Sequence, residues 1–143
     1  MSKEREQIMR MLTGIMLAVV LVAGCAPSSH QALTRDYADR QQYTVNENYQ
    51  SVYRRIQANA RRCYETGLIT AQMQVRSDLY TDIREGVISV VLSGGLGIDT
   101  YLGIEVKAID DDHTRVTVYN ALSSWNKAQP VIRRWVENTG NDC

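Results

Sequence analysis

Between Tyr49 and Tyr64 apolar side chains return at steps of three and four: Tyr49, Val52, Tyr53, Ile56, Ala60, Cys63 and Tyr64. That spacing lines one face of an amphipathic helix. Asn46 or Asn48 can cap its start, and Gly67 stands where it would stop. Beyond Gly67 the period falls to two. Ala71, Met73, Val75, Ser77 and Leu79 alternate with polar partners, as a half-buried strand requires. Arg84-Glu85-Gly86 predicts a turn, Val87 to Leu92 is a β-branched run, and Ser93-Gly94-Gly95-Leu96-Gly97 breaks it. Leu102, Ile104, Val106 and Ala108 share one face of a third strand. Asp110-Asp111-Asp112-His113-Thr114 turns the chain, and Val116, Val118 and Asn120 alternate on a fourth. The connections are too short for helical crossovers, so the strands should form an antiparallel meander. Pro130 suits the first turn of a closing helix, where Val131 with Trp135 and Ile132 with Val136 make i,i+4 pairs.

The pattern predicts an α+β domain over residues 46–143: a helix, a four-stranded antiparallel meander sheet and a second helix, packed as a two-layer sandwich. This order resembles the helix-grip arrangement, which includes domains of a lipoprotein of the outer-membrane assembly machinery. The overall plan is also similar to small proteobacterial lipoproteins. A fold alone supplies no function.

The N-terminus carries a different pattern. Lys3, Arg5 and Arg10 stand against Glu4 and Glu6, and then Met11 to Gly24 contains no charged residue. That run falls short of the about 20 apolar residues needed to cross a bilayer, and matches the charged and apolar regions of a secretory signal. It ends on Leu21-Val22-Ala23-Gly24-Cys25, which resembles the lipobox of bacterial lipoproteins. The resemblance implies a diacylglyceryl group on the Cys25 sulfur, cleavage between Gly24 and Cys25, and acylation of the new amine, for instance with palmitate. Several acyl chains make such anchoring effectively permanent, where one would be marginal. Ala26 in place of an aspartate implies sorting to the outer membrane, periplasmic face. The expected organisation is a signal peptide over 1–24, a lipidated cysteine and flexible tether over 25–45, and one domain over 46–143. His30, alone in that tether, is expected to be solvated.

With Cys25 lipidated, Cys63 and Cys143 remain, and an even pair in an oxidising compartment reads as a disulfide. Sixteen Lys and Arg balance sixteen Asp and Glu, which gives no pull toward nucleic acid. Chemistry is sparse. The glycines of SGGLGID lie between strands rather than ahead of a helix, with no following Gly-Lys-Ser/Thr, so they read as a strand connection mobile enough to meet a partner and not as a phosphate cradle. Asp110-Asp111-Asp112-His113 lacks the spaced ligands and closing glutamate of a calcium loop. His113 has no local nucleophile motif such as Gly-x-Ser-x-Gly. No catalytic residue, cofactor or metal site is assigned, and the chain is read as a non-enzyme. Arg54, Arg55, Arg61 and Arg62 on the polar face of the first helix are candidate contacts for a partner or lipid headgroups. Trp125 and Trp135 are candidates for interface anchors or core packing, and core packing is preferred, above all for Trp135.

Two functions follow. One is an outer-membrane-anchored accessory lipoprotein, docking through a strand edge or the basic helix face on an envelope protein partner. The alternative is a binder of lipid or another small hydrophobic ligand, with a cavity between sheet and helices.

Overall fold

The computed structural model describes residues 27–36 and 40–143; the signal peptide and the Gly24–Cys25 site lie outside them. The chain runs α1 (His30–Asp36), β1 (Arg40–Val45), α2 (Tyr49–Tyr64), β2 (Thr66–Leu68), β3 (Ala71–Tyr80), β4 (Glu85–Gly94), β5 (Gly97–Ala108) and β6 (Thr114–Asn120). A short 3-10 turn (Ser123–Lys127) leads into α3 (Ala128–Val136). All strand pairings are antiparallel, in the order β1-β6-β5-β4-β3-β2.

The fold is α+β, but the four-stranded expectation is corrected: among the described residues the sheet has six strands and three α-helices accompany it. The four expected strands are β3 to β6. The two extra ones lie at the sheet edges, where burial leaves little trace in sequence. In β1 only Tyr43 and Val45 are partly buried among Arg40, Gln41, Gln42 and Thr44, and all three residues of β2 are exposed. The missed helix α1 buries a single side chain, Leu33. The described part of 25–45, expected as tether, therefore contributes a helix and a strand. The two-layer expectation is corrected with it, because α1 lies on the face opposite α2 and α3.

Asn48 caps α2, its side-chain oxygen accepting from the Gln50 amide at 2.9 Å. The helix ends at Tyr64, where Glu65 turns extended and starts the approach to β2. Because β1 and β2 occupy opposite edges, α2 must cross the whole sheet, and its 16 residues span about 24 Å. Its stripe of Val52, Tyr53, Ile56 and Ala60 meets Ile132, Trp135 and Val136 of α3 over Val75, Ile88, Val90, Ile104 and Val118. Each such aliphatic side chain contributes roughly 1.5–3 kcal/mol when fully buried, so this dry face dominates the hydrophobic stabilisation. Tyr53 packs so closely on β4 that a Cβ at Gly86 would overlap its ring.

The second face of the sheet holds a much smaller buried cluster, Leu33, Tyr119 and Ala121. Between the faces, β5 carries a bulge. Val90 opposes Leu102 and Val91 opposes Thr100, which leaves Tyr101 as the extra residue. Its ring stacks on Trp125 at a centroid distance of 5.6 Å. Tyr64 lies between Trp125 and Trp135, at 5.6 and 6.0 Å, so both tryptophans join an aromatic cluster beside the end of α2.

The Cys63–Cys143 disulfide is present and ties the C-terminal tail back to the last turn of α2. Arg134 pairs with Asp142 at 2.6 Å, and Trp135 Nε1 donates to the Asp142 carbonyl at 3.1 Å. The tail is held by three kinds of interaction.

Candidate functional site: the groove beneath the N-terminal helix

A cavity of about 540 Å³ opens on the second face, between α1 and strands β3 to β5. What holds α1 there begins before the helix. β6 ends opposite Leu102, so the outer edge of β5 beyond that point lacks its neighbour. The Pro27 carbonyl takes the place, accepting from the Thr100 amide at 2.7 Å. Ser29 then starts α1, its hydroxyl accepting from the Ala32 amide and its carbonyl from the Leu33 amide.

His30 is the pivot. Glu105 projects from β5 and Ser89 from β4, both into the groove. His30 Nε2 lies 3.2 Å from Glu105 Oε1, and Nδ1 lies 3.3 Å from Ser89 Oγ. A carboxylate only accepts, so Nε2 carries the proton; in the neutral ring Nδ1 then accepts from the serine hydroxyl. Tyr119 donates its hydroxyl to Glu105 Oε2 at 3.0 Å and meets the His30 ring edge-on. The bond from His30 holds the Glu105 carboxyl below the usual carboxylate range; burial opposes this and the Tyr119 bond assists it. Burial, followed by the Glu105 charge, pushes the Tyr119 hydroxyl up. Gly103 makes the approach possible, since a Cβ there would sit 2.7 Å from His30 Nδ1 and 3.0 Å from Leu33.

Ser89, His30 and Glu105 have the composition of a hydrolytic triad, but their setting differs from one. Ser89 is buried in mid-sheet, paired with Arg76 on one side and Gly103 on the other, so its backbone amide belongs to the ladder rather than to an oxyanion hole. The arrangement is a polar latch fastening α1 to the sheet. The groove beside it is lined by charges of both signs, Arg76, Asp78 and Glu85, and by the buried Thr100 hydroxyl, which has no hydrogen-bond partner among the described residues. A polar ligand suits such walls better than an acyl chain.

The sequence-derived residues are dispersed. Gly24 and Cys25 lie outside the described residues. Cys63 and Cys143 are joined. Arg55 is drawn into the fold: its guanidinium makes two bonds to Glu47, at 2.7 and 3.0 Å, and caps the end of α3 through the Trp135 and Val136 carbonyls. Arg54, Arg61 and Arg62 are exposed, with Arg61 3.9 Å from Glu65 and Arg62 donating to Asn59. His113 and Asp110 form a local turn in which Asp110 Oδ1 accepts from the Asp112 and His113 amides. His30, expected to be solvated, is instead the half-buried centre of the latch. A single outward-facing glycine inside β5, Gly103, was the available hint of a close neighbour on that face.

No helix among the described residues is long and apolar enough to cross a membrane. No protein-family model matches the chain, and no curated protein matches it significantly.

Proposed function

We propose that this protein is a non-enzymatic envelope lipoprotein, anchored through Cys25 on the periplasmic face of the outer membrane, whose small domain docks on a larger envelope assembly. The observation that carries the reading is the run Leu21-Val22-Ala23-Gly24-Cys25 at the end of a short uncharged stretch. The Cys63–Cys143 bridge supports it, since such a bond persists in oxidising compartments. For docking, the domain offers the exposed Arg54, Arg61 and Arg62 on α2 and the edge strand β1. The ligand-cavity alternative draws less support, because Tyr49, Tyr53, Ile56 and Trp135 fill the space between sheet and helices.

The test is purification of the intact lipoprotein from cross-linked outer membranes beside a Cys25→Ser control and an Arg54→Glu, Arg61→Glu variant. A stoichiometric partner, lost from both, is the expected result. Recovery of the lipoprotein alone with a bound small molecule overturns the assembly role. Mass spectrometry of the N-terminal peptide reads the anchor directly.

A further inference from the structure

The sheet has a free-standing end. Beyond Leu102 the β4–β5 hairpin projects past β6 to a two-residue turn at Gly95-Leu96, with the β2–β3 hairpin beside it. The two tips touch, since Thr70, Ala71, Gly95 and Leu96 line one shallow pocket. Their aliphatic side chains point into solvent: Ile69 and Leu96 are fully exposed and Leu68 is 78% exposed. Neither 66–75 nor 86–98 contains a charged residue. The opposite end of the sheet also exposes aliphatics, Ile83 and Ile109, but these stand among Asp82, Arg84, Asp110, Asp111 and Asp112. A pair of uncharged, aliphatic-tipped hairpins beside a charged remainder is poorly suited to water and well suited to a bilayer interface.

Pro27, the first described residue, lies toward the same end. Pro27 is buried and bonded to Thr100, only three residues along β5 from Gly97. Cys25 precedes Pro27 by two residues, a reach of at most about 7 Å. Thr100 stands about 10 Å from the start of β5 at the rise of an extended strand. The acyl chains on Cys25 therefore enter the bilayer within a short distance of the hairpin tips, with no room for a long spacer between lipid and domain.

We propose that Leu68, Ile69 and Leu96 insert into the interface of the bilayer that holds the Cys25 lipid, so that the domain stands on the membrane with its sheet end-on and its acidic end, Asp110 to Asp112, directed away. This orientation rests on the lipid anchor proposed above. Standing this way, the lipoprotein carries the basic face of α2 along its side, level with whatever projects from the same membrane.

The test uses the mature lipidated protein in vesicles of phosphatidylethanolamine and phosphatidylglycerol, with and without acyl-chain bromination. Tryptophan is introduced singly as Ile69→Trp, Leu96→Trp or Ile83→Trp, and the emission of the parent protein is subtracted. These side chains are largely solvent-exposed, so the substitutions spare the core; circular dichroism verifies the fold. Insertion of about 5–10 Å should quench the probes at 69 and 96 by about two-fold or more and shift their emission to the blue, leaving the probe at 83 unchanged. Unquenched probes at 69 and 96 on a protein whose mass shows the Cys25 lipid overturn the orientation and leave the anchor standing. Quenching at 83 in their place also overturns it. An unmodified Cys25 removes the anchor, and the orientation with it.

Discussion

The two faces of the sheet are held by different physics. On one, α2 and α3 close an apolar core of contiguous buried side chains. On the other, α1 rests on one leucine, one proline carbonyl and a histidine latched between a glutamate and a serine. The strands between are shared, so the contrast is not one of backbone. It lies in what the alternate residues of β4 and β5 present: Ile88, Val90, Leu102 and Ile104 to the helices, Ser89, Gly103 and Glu105 to the N-terminal segment. A domain built this way should unfold globally through its first face and open locally through its second.

The contrast breaks most visibly at Trp135. It is fully buried, and Trp135→Ala should cost about 3–5 kcal/mol in urea denaturation followed by circular dichroism. A loss below that of any change on the α1 face would mean the first face does not dominate. Removing the Cys63–Cys143 bridge as a Ser/Ser pair should cost about 2–4 kcal/mol by the same measurement, acting chiefly on the unfolded chain. Leu33→Ala should cost less, about 2 kcal/mol at most, and appear as faster proteolysis between α1 and β1 with the global transition almost unmoved. Should it lower the global midpoint as far as Trp135→Ala does, the two faces form one cooperative unit.

The smallest effect sharpens the comparison through pH. The Glu105 carboxyl is held low in the folded protein, chiefly by His30, so its contribution to the latch is complete above the unfolded carboxylate pKa of about 4.3. It fades as pH falls through the depressed folded value. Hydrogen exchange of the α1 amides should accelerate selectively in that acidic window, and Glu105→Gln should flatten the dependence. Uniform acceleration on both faces would show acid loosening the whole domain instead.

This asymmetry also decides how much could be read from the sequence. The first face was legible because its period is long and regular: the three-and-four stripe of α2 and the alternation of β3, β5 and β6 each repeat several times. The aspartate turn before β6 was legible because Asp110 bonds its own neighbours. The second face left no repeat. HQALTRD offers one apolar side chain that needs covering, and Leu33 finds its cover on Tyr119 and Ala121, more than eighty residues on. β1 hides because an edge strand packed on one side needs only Tyr43 and Val45. His30 was set aside as a solvated residue because its partners, Ser89 and Glu105, meet it only through the fold. Arg55 was grouped with its neighbours on a polar helix face; nothing local says that Glu47 and the end of α3 converge on it.

The pairing of β1 with β6 has a consequence for assembly. Strands β2 to β6 follow one another through short turns, so each can zip onto the last soon after it forms. β1 must wait, because its partner arrives some seventy residues later in the chain. Once β6 has zipped onto β5, it is an open edge until β1 closes back on it, with a row of unpaired amides next to the core strands and ready to accept a strand from another molecule. While the domain is still assembling, that interval is when aggregation threatens. Arg40, Gln41 and Gln42, polar side chains on the late-arriving strand, serve as the cover that ends it.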